Sequence, residues 1–132
     1  WCGQVRFHGE LSPDALDDAY RAADIFVAPS RFESFGLVFV EAMMFGLASV
    51  GSDVGGVAEV LGREGESGLL VPPGDAPALA AALNALIDDP RRRRAMAASA
   101  RARFEANFSA GPMISALETL MRKAIAARIR AV

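Results

Sequence analysis

Apolar and polar positions alternate along this chain in blocks, and the period of each block predicts an element. Val5-Arg6-Phe7-His8-Gly9 alternates with period two before a glycine, as a short strand does. Ser12-Pro13-Asp14-Ala15 supplies an N-cap with proline at the first helical position, and Leu16, Ala19, Tyr20 and Ala23 recur behind it at helical spacing. Ile25 to Ala28 is an apolar run closed by Pro29, which predicts a buried strand ending in a loop. From Leu37 to Phe45 nearly every position is apolar and Gly46 follows, so a buried helix beginning at Gly36 and capped by glycine is expected.

Leu47 to Ser52 predicts a further buried strand, Val57 to Leu61 a short helix, and Leu69 to Val71 a strand stopped by Pro72-Pro73-Gly74-Asp75. Asp75 or Ala76 then opens a helix through Leu79, Leu83, Leu86 and Ile87 that stops at Asp88-Asp89-Pro90. Arg91-Arg92-Arg93-Arg94 opens another helix; four consecutive arginines fan around a helix, so a solvated face is expected, with Phe104 and Phe108 packing the helix onto the core. A terminal helix over about 113–131 carries Ile114, Leu117, Met121, Ile125, Ile129 and Val132 on one stripe, with Arg122, Lys123, Arg128 and Arg130 elsewhere. Core packing is the default for that stripe, and weak contact with an anionic membrane surface is the alternative.

Strands alternating with helices imply an α/β fold: a Rossmann-like three-layer arrangement in which a parallel sheet with right-handed crossovers lies between helices. Four strands are counted, and the later three are expected to pair in sequence order. The chain of 132 residues suits one domain, 1–132, and its 52% hydrophobic content is ample for a core. A net charge of -2 gives no footprint for nucleic acid. The single cysteine, Cys2, cannot form an internal disulfide, so a reducing cytoplasm is expected. Neither a signal sequence nor a run long enough to span a membrane is present, and the abrupt start at Trp1 reads as a piece of a longer protein. His8 is the only histidine, and the sequence has no D-x-D, so no metal requirement is inferred.

The chemistry concentrates in Ser30 to Glu41, where Glu33 and Glu41 stand eight residues apart across a Phe35-Gly36 turn. A strand, a tight turn and a helix starting at Gly36 leave unpaired N–H groups at the positive end of the helix, a place to hold phosphate. Two readings of the acids remain open at this point. Glu41 can complement the helix while Glu33 is a solvated loop acid, or both can accept hydrogen bonds from ligand hydroxyls flanking a phosphate, which describes a nucleotide sugar. Gly55 and Gly56 likewise can permit a turn or let backbone approach a ligand.

Pro29-Ser30, Glu33, Phe35-Gly36-Leu37, Glu41-Ala42-Met43, Gly46 and Asp53-Val54-Gly55-Gly56-Val57-Ala58-Glu59 together resemble the donor-binding, C-terminal half of retaining GT-B glycosyltransferases of group 1 with the E-x-x-x-x-x-x-x-E motif. The resemblance implies that Glu33 bonds hydroxyls of the transferred sugar, that backbone at Phe35, Gly36 and Leu37 binds sugar and phosphate, and that Glu41 holds the ribose. Ser34 stands where the family often has glycine, and Gly9, Glu10 and Leu11 would lie near the base. It further implies a UDP- or GDP-sugar donor without a metal, an unknown acceptor, and an N-terminal GT-B domain upstream. Cationic residues that neutralise the diphosphate would also lie upstream, so the chain alone is expected not to transfer sugar. A Rossmann-type sheet has strand order 3-2-1-4-5-6, and two central strands would separate Val5 to Gly9 from Ile25 to Ala28. Two other classes compete: a non-catalytic nucleotide- or phosphate-binding module, and a GT-B epimerase or phosphorylase.

Overall fold

A computed structural model describes residues 4–62 and 65–129. Cys2, the last residues of the expected terminal helix and Val132 lie outside the described residues. Among the described residues nine elements follow one another: α1 (Pro13–Ala22), β1 (Ile25–Ala28), α2 (Leu37–Met44), β2 (Ala48–Ser52), α3 (Val57–Leu61), β3 (Leu69–Val71), α4 (Ala76–Ile87), α5 (Pro90–Asn107) and α6 (Ala110–Ile129).

The three strands form one parallel sheet in the order β1-β2-β3, with Val27 opposite Val50 and Gly51 opposite Leu70. Side chains alternate across it. Phe26, Ala28 and Leu70 pack on one side with Phe39 and Met43 of α2 and with Val57, Val60 and Leu61 of α3. Ile25, Val50 and Val71 face the other side, against Leu79, Leu83 and Leu86 of α4 and Met96 of α5. Helices on both faces of a parallel sheet make the three-layer α/β architecture that the pattern predicts.

The helix ends show why the boundaries fall where they do. Ser12, Asp75 and Asp89 each accept a hydrogen bond from an amide in the first turn of the helix they precede, and each of these helices has proline in its first positions. At the far end of α2, Gly46 N–H bonds the Met43 carbonyl and Leu47 N–H bonds the Ala42 carbonyl, which closes the helix and turns the chain into β2. Arginines of α5 bond the carbonyls at the ends of α2 and α3. Arg101 donates to the Met44 carbonyl at the end of α2, while Arg103 reaches the Val60 carbonyl (2.7 Å) and the Glu59 carbonyl (2.7 Å) at the end of α3.

Three expectations are corrected. Val5 to Gly9 is not a strand: the segment is exposed, Phe7 by 93%, and no described strand pairs with it. A strand without a ladder leaves its amides and carbonyls to water, and alternation alone does not stabilise it. The stripe on α6 is not core packing, for Met113, Ile114, Leu117, Leu120, Met121 and Ile125 are all more than half exposed. Among the described residues no helix is long and apolar enough to cross a membrane. Finally, α2 is only half a buried helix: Phe39, Ala42 and Met43 are inside, whereas Leu37, Val38, Glu41 and Met44 reach the surface. Of the four arginines, Arg93 is the one drawn inward, donating to the Leu86 carbonyl (2.9 Å) and pairing with Asp24 (3.5 Å).

Candidate functional site

The loop from Pro29 to Gly36 leaves the carboxyl end of β1 and enters α2 through Gly36, whose φ of 93° lies in the left-handed region. A side chain at Gly36 would be strained by that conformation and would press on Phe39. The turn delivers a helix start with no side-chain cap and no acidic residue in its first turn. Phe39 N–H bonds back to the Gly36 carbonyl at 2.9 Å, and among the described residues the Leu37 and Val38 amides donate to no protein group. These free donors and the positive end of the helix face outward together, which suits an anion.

A second loop holds the first in place. A Cβ built on Gly55, at φ 50°, would fall on the carbonyl oxygen of Glu33, and one built on Gly56 would come within 2.9 Å of both the Ser34 carbonyl oxygen and the Phe35 Cα. The paired glycines therefore do both things: they form the turn that Val57 N–H closes onto the Val54 carbonyl at 3.2 Å, and they let that backbone meet the backbone of the Glu33 loop. Phe35 adds an edge-on contact with Phe108, the residue that caps the end of α5, ring centres 6.3 Å apart.

The two acids are held differently. Glu33, half-buried, curls its Oε1 onto the Ser34 amide at 3.1 Å and lies alongside Gly36. Glu41 stands on α2 and is exposed, so the cost of burying a lone carboxylate does not arise; its Oε2 accepts a hydrogen bond from the Tyr20 hydroxyl at 3.0 Å. Tyr20 belongs to α1, and its ring is stacked on Phe45 and tilted against Phe26. Burial first, and then the Glu41 carboxylate, push the Tyr20 phenol up to about 12. Sequence reasoning placed Tyr20 only in an apolar stripe; the signal available was that a buried tyrosine hydroxyl must find a partner.

Ser34, Phe35, Gly36 and Leu37 thus surround one helix start, with Glu33 against Gly36 and the backbone of Gly55 and Gly56 against the loop, while Glu41 lies on the second turn of α2 and is joined to Tyr20. Gly9 and Leu11 are not tied to it: Gly9 is exposed with open space around it, and Leu11 is half-buried ahead of α1. A separate cavity of about 170 Å³ opens at the carboxyl ends of the strands, lined by Pro29, Arg31, Ser52, Val71, Asp75 and Leu79. None of Glu33, Gly36 and Glu41 lines it. Pro29 and Arg31 of the same loop do line it, so the cavity borders the loop while the start of α2 and both acids lie outside it. Ser52 Oγ, beside the cavity, is buried without a hydrogen-bond partner, as is Ser49 Oγ.

Comparison with known proteins adds a third line. The family described as glycosyl transferases group 1 matches residues 3–103. The D-inositol 3-phosphate glycosyltransferase of Rhodococcus opacus (strain B4) is 43% identical over 106 residues, 80% of this chain and 23% of that protein. Among solved structures, the sucrose-phosphate synthase from Thermosynechococcus elongatus superposes with a TM-score of 0.84 at 38% identity over 95% of this chain and 31% of that one. Anabaena HepE, solved in complex with UDP, superposes with a TM-score of 0.70 at 27% identity over 83% of this chain and 29% of that one. The chain thus spans between a quarter and a third of the length of each of these proteins, within a few per cent.

Proposed function

The chain belongs to the glycosyl transferases of group 1, and from that premise we propose that it is the donor-binding part of a retaining enzyme that moves a hexosyl group from a nucleotide-diphosphate sugar to an acceptor hydroxyl. Its three parallel strands between helices are part of the Rossmann-like GT-B architecture of its structural relatives. The observation that carries the reading is the uncapped start of α2, with free amides at Leu37 and Val38, Glu33 in the loop that precedes it and Glu41 on the second turn of the helix.

The diphosphate lies on the helix start. As the bond between the anomeric carbon and the diphosphate oxygen breaks, negative charge grows on the leaving group, and the α2 amides are already oriented to meet it. The acceptor oxygen bonds the anomeric carbon on the same face, and its proton passes to the departing phosphate. Glu33 orients the sugar through its hydroxyls, and Glu41 holds the ribose. HepE, solved with UDP, supports a nucleotide-linked donor, UDP- or GDP-based. No residue of this chain is assigned to a metal, and the acceptor-binding side belongs to the remainder of a full-length GT-B protein, so the chain alone binds donor without transferring sugar.

Titration of the native protein with UDP, GDP, ADP and their sugar conjugates tests this. One nucleotide series binds, Glu41→Ala weakens it roughly tenfold, and Glu33→Gln lowers turnover by roughly 10- to 100-fold with nucleotide affinity little changed. Wild-type binding and kinetics in both variants would overturn the assignment. Binding that ignores the sugar and an enzyme indifferent to Glu33 would indicate a nucleotide-sensing module instead.

A further inference from the structure

We propose that Tyr20 is a positioning residue for the donor, its hydroxyl fixing the Glu41 carboxylate in the orientation that meets the ribose hydroxyls. The inference rests on the reading of Glu41 given above. Glu41 is exposed, and an exposed glutamate on a helix samples many rotamers; holding one of them at the moment of binding costs conformational entropy that weakens the complex. Here the carboxylate is already held, by a hydrogen bond of 3.0 Å between Tyr20 Oη and Glu41 Oε2.

The hold is rigid because its other end is in the core. Tyr20 is only 9% exposed and packs with Ala42 and Leu47, with Phe26 and Phe45 around them. Its ring lies parallel to Phe45 at 5.1 Å, with 5° between the planes, and meets Phe26 at 5.9 Å. Phe45 caps the end of α2 and Phe26 belongs to β1, so the hydroxyl is placed by the same packing that joins α1 to the sheet. A phenol pushed up to about 12 stays protonated, and hence a donor, at neutral pH. The bond uses one lone pair of Oε2, leaving the rest of that oxygen and all of Oε1 to accept from two neighbouring hydroxyls. The 2′ and 3′ hydroxyls of a ribose are such a pair, and a sugar lacking them gains nothing from the arrangement.

Nucleotide affinity of the native protein is measured for Tyr20→Phe, Glu41→Ala and the double variant, with UDP and GDP and with their 2′,3′-dideoxy counterparts. Phenylalanine keeps the ring and its stacking, so a role in packing alone is unaffected by it. Expected is a loss of roughly fivefold for Tyr20→Phe with the ribonucleotide, the size of one ordinary hydrogen bond, no loss with the dideoxy form, and no further loss when Glu41 is already alanine. If Glu41→Ala weakens ribonucleotide binding but Tyr20→Phe stays within twofold of wild type, the positioning role is wrong and the donor site stands. If Tyr20→Phe weakens ribo and dideoxy forms equally, Tyr20 acts on the fold and the proposal fails. If Glu41→Ala itself changes nothing, the ribose role of Glu41 fails and carries the proposal with it.

Discussion

Helices α2 and α6 are both rich in large apolar side chains, yet solvent treats them in opposite ways. In the eight residues of α2, Phe39 and Met43 are buried between the sheet, α3 and α5, and Ala42 is buried against Tyr20 of α1 and Leu47. Along α6, Met113, Ile114, Leu117, Leu120, Met121 and Ile125 are all more than half exposed. The difference lies in what stands opposite. For α2 the chain returns three times, as β2, α3 and α5, and the arginines of α5 tie off the helix ends. Nothing within the described residues returns to α6. An apolar stripe states a demand for burial; whether it is met depends on the rest of the structure.

A large break in that contrast comes from the glycine that lets two loops touch. Gly55→Ala places a methyl group where the Glu33 carbonyl oxygen now sits, and at a φ of 50° that L side chains rarely adopt. The loops must separate, at a cost of about 2–4 kcal/mol from overpacking and backbone strain together. Thermal unfolding should show the midpoint falling by roughly 10 °C or more, and nucleotide binding should be lost with it, since Glu33 and the α2 start ride on the same loop. An alanine variant as stable as wild type would mean that the two loops do not meet as described.

That prediction separates what the sequence could show from what it could not. The pattern reads β1, β2 and β3 because each is a short apolar run with its own punctuation, Pro29 after one and Pro72-Pro73 after another. Ser12-Pro13, Asp75 and Asp89-Pro90 set helix starts by local chemistry, and each is found capping. Glu33, Gly36 and Glu41 are close in sequence around one turn, so their assembly at one helix start was also legible. Val5 to Gly9 was misread because a strand needs a partner, and alternation says nothing of partners. Tyr20 reaching Glu41 across 21 residues, Gly55 against Glu33, and Arg103 closing α3 all depend on the folded path. Those contacts decide how well the site is held, and no local pattern encodes them.

A middling effect is expected where α1 meets α2. Tyr20 is the chain's only tyrosine, so its phenolate absorbance titrates one site. Its pKa is raised from the ordinary 10 to about 12, mainly by burial. The unfolded chain therefore gives up this proton first as pH rises. The Tyr20 contribution to stability is complete below pH 10 and is lost as the pH climbs through about 12. Urea midpoints measured across that window should fall more steeply for the wild type than for Tyr20→Phe, which has nothing to ionise there. Equal slopes, or a phenolate that forms at its ordinary value, would place the Tyr20 hydroxyl in water and loosen the link between α1 and Glu41.

The smallest effect should come from α6, and its smallness is informative. Leu117 is 56% exposed on the apolar stripe, and glutamine has nearly the same helix propensity as leucine. Leu117→Gln should therefore change the stability of the 132-residue chain by no more than about 0.5 kcal/mol, as surface substitutions do, whereas Phe39→Ala on α2, wholly buried, should cost about 3–5 kcal/mol. A destabilisation by Leu117→Gln that grew with protein concentration would mean that copies of the chain cover the stripe in each other. A destabilisation independent of concentration would mean that α6 folds back on its own domain, and the contrast between the two helices would disappear.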